Sequence, residues 1–133
     1  MRGTEGDLPM QLTINARETR GVVILELVGR VVAGEEVDSV RRMIHDLIDH
    51  NHKRVSLNLD QVIRIDSTGI GMLVEGVIYS VKQGGRLNLY KVPRLVHNIL
   101  FTHRLLQAFE IYSSEEEAVA AFEKSSAQSA TQA

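Results

Sequence analysis

Residues 54–85 read RVSLNLDQVIRIDSTGIGMLVEGVIYSVKQGG, and a change of period inside this stretch decides the fold. Over residues 54–60, Val55, Leu57 and Leu59 alternate with Ser56, Asn58 and Asp60, the two-residue period of a strand with one buried face; Ile63 and Ile65 extend or flank it. From Ile70 onward the spacing turns helical, with Ile70, Leu73, Val74, Val77 and Val81 on one stripe that stops at Gly84-Gly85. Met72, Glu75 and Tyr79 are left facing elsewhere. A strand that feeds a helix in this way is the building unit of a parallel α/β sheet.

Similar units lie on either side. Upstream, Leu12, Ile14 and Ala16 alternate loosely, Thr19-Arg20-Gly21 supplies a turn, and VVILELVG over residues 22–29 reads as a more buried strand, which together predict a hairpin. Val37, Val40, Ile44 and Leu47 then mark one face of a helix that starts near Glu35 and ends near His50-Asn51. Its wet side is expected to hold His45, Asp46 and Asp49. Downstream, residues 86–92 form a strand through Leu87 and Leu89, and Pro93 opens a helix carrying Leu95, Val96, Ile99 and Leu100. Glu110-Ile111-Tyr112 is a short strand, and Ser113 or Ser114 caps a last helix with Glu115, Glu116 and Glu117 in its first turn and Ala118, Val119 and Phe122 facing in.

The expectation is a single α/β domain over about residues 10–124, with a mixed, mostly parallel sheet of four to five strands and helices packed against it. Residues 1–9 and 125–133 are small, polar and aperiodic, and are expected to be disordered.

Composition excludes several function classes. Seventeen acidic against fifteen basic residues give a net charge of -2, which argues against direct nucleic-acid binding. The absence of cysteine removes disulfides, thiolate catalysis and cysteine-ligated zinc together. No run approaches the roughly 20 apolar residues of a membrane span, and residues 1–9 lack the apolar core of a secretory signal, so a cytoplasmic protein is expected. His50 and His52 are two apart and His97 and His103 six apart, neither at the spacing of a helical metal site, so no metal and no cofactor is expected.

Asp66-Ser67-Thr68 lies where strand gives way to helix, at the carboxyl end of the strand, the usual place for a site in an open α/β sheet. The first N–H groups of a helix lack partners, and either Asp66 or Ser67 fits as the capping residue. With Asp66 as the cap, Ser67 becomes the first helical residue and its hydroxyl is free. Gly69 and Gly71 each cost a helix about 1 kcal/mol relative to alanine. They therefore serve close approach, either of another backbone toward Ser67 or of a neighbouring strand. Enzyme motifs do not fit: the lysine of a phosphate-binding P-loop is missing, GxGxxG is absent, and Ser67 is not in G-x-S-x-G. Asp60 reads as the end of a strand and not as a catalytic partner of Asp66.

The block VSLNLD, five residues, then DSTGIGML, preceded by L-x-G-R-V and a helix and followed by GGRLNLYKV and LLQAFEIYSSEEEAV, resembles the STAS domains. Within them it looks most like the bacterial anti-anti-sigma factors, or anti-sigma factor antagonists. The resemblance covers nearly the whole folded unit and implies a regulatory binding protein, not an enzyme. In such families the unmodified protein binds an anti-sigma factor that is also a serine kinase with a GHKL-type ATP site, which frees the sigma factor. Phosphorylation of one serine ends the binding, and a PP2C-type phosphatase commonly resets the cycle. Ser67 matches that serine, Asp66 the aspartate before it and Thr68 the following Ser or Thr. Gly69, Ile70 and Gly71 complete the implied partner-binding block, which Met72 and Tyr79, off the core stripe, are expected to extend. One position departs from the pattern: Val32 stands where the sporulation and stress-response branch usually has an acidic residue. The alternative within the family is a scaffold of a signalling assembly or an accessory subunit of a lipid-transport ATPase, where the hydroxyl contacts a partner without being phosphorylated.

Overall fold

The run VVILELVGRV, strand β2 (Val22–Val31), is apolar on both faces because it carries a layer on each side. Val23, Leu25 and Leu27 enter the larger core, while Val22 and Ile24 enter a smaller one on the opposite face of the sheet. The structure, a computed structural model, describes residues 12–132, so the stretch 1–9 lies outside the described residues. Around β2 the chain forms β1 (Leu12–Thr19), α1 (Glu35–Asp49), β3 (Arg54–Ile65), α2 (Ser67–Lys82), β4 (Arg86–Tyr90), α3 (Arg94–Thr102), β5 (Ile111–Tyr112) and α4 (Glu115–Gln132). A single turn of 3-10 helix at Leu106–Ala108, which the sequence pattern did not announce, joins α3 to β5.

The five strands lie in chain order, β1-β2-β3-β4-β5. β1 pairs antiparallel with β2 as the expected hairpin, and every later pair is parallel. Successive crossovers of one hand put α1, α2 and α3 on the same face. They share the larger core, through Val37, Val40, Ile44 and Ile48 of α1, Ile70, Met72 and Leu73 of α2, and Val96 and Leu100 of α3. α4 covers the other face with Ala118, Val119 and Phe122 against Val22, Ile24 and Tyr90. A buried polar chain fixes that side: Ser56 Oγ donates to Asn88 Oδ1 at 2.6 Å, and Asn88 Nδ2 donates to the Ala118 carbonyl at 3.1 Å. Buried amides of this kind tolerate only the register that pairs them.

Ser114 is the cap of α4, its hydroxyl accepting from the Glu117 N–H at 3.2 Å. The helical backbone continues to Gln132, past the expected boundary at Lys124, since residues 125–132 contain neither proline nor glycine to stop it. Two apolar faces were also misphased. On α1, Ile48 is fully buried and Leu47 only half-buried. On α3, Leu95 is 47% exposed rather than packed inward.

The larger correction concerns α2. Its buried line runs through Gly69, Met72, Leu73, Gly76 and Ser80, while Val81 is 62% exposed. Met72, expected on the partner side, is completely buried. The cause is Gly76, where an added Cβ would lie 3.5 Å from both Ile44 Cδ1 of α1 and Leu87 Cδ1 of β4. Small residues there let α2 sit close against α1 and the sheet, and a pattern read from large apolar residues does not see them. Met72→Ala should therefore lower stability by about 2–5 kcal/mol, the usual range for truncating a buried side chain. Urea unfolding followed by circular dichroism measures this directly.

Candidate functional site

β3 is longer than the strand beside it. β4 pairs only with Arg54–Asn58, whereas residues 61–65 continue alone alongside Val28–Val31 of β2, with two irregularities of register on the way. The strand thus delivers Asp66 and Ser67 past the end of β4, beside the corner where β2 turns into α1.

Asp66 is the N-cap of α2, which decides between the two candidates. Its Oδ1 accepts from the Gly69 N–H at 2.9 Å, and its Oδ2 accepts from the Ala33 N–H, also at 2.9 Å. The Asp66 N–H in turn donates to the Val31 carbonyl at 3.3 Å. One side chain therefore binds the start of α2 to the β2–α1 corner. Donation from Ala33, and then from Gly69, holds its carboxyl below the usual carboxylate range.

The two glycines have different reasons. An added Cβ at Gly69 would meet the Val31 carbonyl oxygen at 2.2 Å, so the neighbouring strand is what excludes a side chain there. At Gly71 nothing lies within 4 Å of an added Cβ, and the residue is exposed. Gly71 therefore leaves open space on the outer surface of α2, the feature that packing within the domain does not account for.

Ser67 and Thr68 are both exposed, and among the described residues the Ser67 hydroxyl has no hydrogen-bond partner. Ile70 is buried beneath them at 7% exposure. Tyr79 stands apart, more than three turns along α2 from Ser67, stacked on His45 of α1 with ring centroids 3.8 Å apart. Its hydroxyl donates to Asp49, and Glu75 contacts the same histidine at 2.9 Å, so this group fastens α2 to α1. The line that does share the outer side of α2 with Ser67 is Gly71, Val74, Ile78 and Val81, at spacings of four and three. Ile78 is 54% exposed, and the line runs about 21 Å at 1.5 Å per residue. Sequence reading missed it, together with Val31 and Ala33, whose part in the site is a backbone contact that no side-chain pattern signals. Val32, at the departing position, lies half-buried between those two.

Among the described residues no three His, Asp or Glu side chains are grouped to hold a metal ion, and no helix is long and apolar enough to cross a membrane. What the geometry offers is an exposed hydroxyl at a helix start, next to a carboxylate that is already engaged.

The family profile of the STAS domain matches residues 13–118. No curated protein sequence matches the chain. Among solved structures, it is similar to an anti-sigma factor antagonist from Mycobacterium paratuberculosis, with 16% identity, a TM-score of 0.74, and coverage of 85% of this chain and 95% of that one. SpoIIAA, a cell fate determinant of Bacillus solved in its phosphorylated form, has 20% identity and a TM-score of 0.67 over 83% of this chain and 99% of that one. The murine Slc26a9 anion transporter contains a similar domain, with 18% identity and a TM-score of 0.62 over 81% of this chain but 18% of the transporter. At these identities the likeness is one of fold.

The grip of Asp66 has a pH signature. A carboxyl whose folded-state value is depressed adds stability above its unfolded value of about 3.9, and that contribution is lost as pH falls through the folded value. Asp66→Asn should be less stable than wild type at pH 7, and the gap should narrow steadily below about pH 4. Parallel urea titrations at neutral and acid pH provide the check, and a gap that stays constant would mean that the charge of Asp66 contributes nothing.

Proposed function

The chain belongs to the STAS domain family, and from that premise we propose that it is an anti-sigma factor antagonist controlled at Ser67. Unphosphorylated, it binds an anti-sigma factor that has GHKL-type serine kinase activity, and a sigma factor is released. Phosphorylation of Ser67 ends the complex, and a PP2C-type phosphatase restores it. The observation that carries this reading is the exposed Ser67 hydroxyl, without an internal partner, on the first residue of α2. Solved structures of SpoIIAA in phosphorylated and unphosphorylated forms support it by analogy of fold.

The physical argument is one of interface electrostatics. A phosphate at Ser67 adds about -1.5 to -2 charges at neutral pH. The dipole at the start of α2 favours that charge inside the domain, so the backbone has no reason to move. A partner packed on the same spot has to desolvate it, next to the carboxylate of Asp66. A penalty of about 3–4 kcal/mol weakens binding several-hundred-fold.

Binding of a purified cognate anti-sigma factor, measured by calorimetry, tests the proposal. Ser67→Ala should bind like wild type and accept no phosphate from the kinase, while the phosphorylated protein should lose affinity several-hundred-fold. Equal affinity with and without phosphate would rule out the switch. Retention of one transport complex by both forms would favour the scaffold or accessory-subunit role, a reading kept in view by the domain within Slc26a9.

We place the remainder of the partner surface on the outer line of α2, through Gly71, Val74 and Ile78, rather than on Met72. Ile78 and Val81 are exposed in register with Ser67, whereas Val74 between Gly71 and Ile78 is half-buried against the core, so two exposed apolar side chains extend the contact beyond the hydroxyl. Ile78→Asp should weaken the complex at least about tenfold, or 1.4 kcal/mol, with an unchanged melting temperature. Tyr79→Phe, which removes only the bond to Asp49, should leave affinity as it was.

A further inference from the structure

Residues 91–104, KVPRLVHNILFTHR, contain Lys91, Arg94, Arg104, His97 and His103 and no acidic residue, in a chain whose net charge is -2. The fold gathers them. Val96 and Leu100 point into the core, so the opposite side of α3 presents Arg94, His97 and Phe101 at helical spacing, and Arg104 follows directly after the helix. All four are exposed, and Phe101, at 68%, is more exposed than Ile63, Ile78, Val81 or Leu95. Neither Arg94 nor Arg104 is in an ion pair among the described residues.

The charge also runs against a local rule. α1 opens with Glu35, Glu36 and Asp38, α2 with the Asp66 cap, and α4 with Glu115, Glu116 and Glu117, each complementing the positive end of its helix. α3 has no acidic residue in its first turn and has Arg94 there instead. A cation at that end costs helix stability, and departures of this type occur where another function requires them.

We propose that this ridge of α3 docks an acidic segment of a partner protein, with carboxylates on Arg94 and Arg104 and an apolar side chain against Phe101. Arginine and aromatic residues are the types that dominate binding energy at protein interfaces. An anionic membrane is the weaker fit. Two exposed apolar side chains, Phe101 and Leu95, on a nine-residue helix insert too little apolar surface for stable attachment, and three full cations add only about 1 kcal/mol each. The proposal rests on the residues of α3 and its end and does not depend on the switch proposed at Ser67.

The probe is a short glutamate-rich peptide with a central leucine, titrated into the isotope-labelled full chain and followed by amide chemical shifts. Controls are the same peptide with glutamine for glutamate, and phosphatidylserine-containing vesicles. Shifts confined to residues 91–104, with the glutamine peptide at least about tenfold weaker, support the proposal. Arg94→Glu combined with Arg104→Glu should weaken the acidic peptide by about tenfold or more, Phe101→Ser should weaken it further, and Ser67→Glu should change nothing. Arg94, Arg104 and Phe101 all lie outside the core, and an unchanged melting curve for each variant confirms that the fold is kept. Undiminished binding by the reversed variant, shifts centred elsewhere, or vesicle binding without peptide binding would each overturn it.

Discussion

A single carboxylate organises the end of this domain where β3 gives way to α2. Asp66 accepts one backbone N–H from α2 and one from the β2–α1 corner, and its own N–H reaches back to the carbonyl of Val31. Three backbone segments therefore meet at one residue, and their spacing is set by hydrogen-bond geometry rather than by apolar packing. Gly69 is the steric counterpart of that arrangement, because the same Val31 carbonyl leaves no room for a side chain opposite. Position and orientation of Ser67 follow from this local structure: it comes next in the chain, on the first helical residue, with its side chain directed to solvent.

The site is thus built on a surface whose support is complete beneath it. Ile70, Met72 and Leu73 belong to the main core, and the His45, Tyr79, Glu75 and Asp49 group fastens α2 to α1 from the side. Changes at Ser67 need not propagate into that framework. The positive end of the α2 dipole favours negative charge there, so in the switch proposed above specificity would reside in what a partner must desolvate and not in a rearranged fold.

Much of this was legible in the sequence, for identifiable reasons. The alternation over Val55, Leu57 and Leu59 and the helical spacing that follows it are period signals, and they recovered the order of the elements and the parallel sheet. The D-S-T-G-I-G block reads as a strand-to-helix junction, which the structure has at that place, and of the two candidates Asp66 is the cap. The rest failed where small residues or backbone atoms do the packing. Gly76 and Ser80 define the buried line of α2, yet neither registers as apolar, so the helix was phased through Val77 and Val81 and Met72 was turned outward. Ala33 and Val31 bond Asp66 through main-chain groups, and the pairing of Ser56 with Asn88 joins residues distant in the chain. None of these contacts leaves a periodic trace.

The unequal lengths of β3 and β4 have a mechanical consequence. Beyond Asn58 the strand that leads to Ser67 is paired on the β2 side alone, which makes the site a cantilever. Because β2 and β3 run parallel toward it, a pull at Ser67 along the strands loads their hydrogen bonds together, in shear, and not one after another. The Asp66 bonds to Ala33 and Gly69 then transmit the same load to the α1 corner. A partner drawn away from this end would leave the protruding tip to respond as one stiff piece, and compliance would reside in the side chains of the contact.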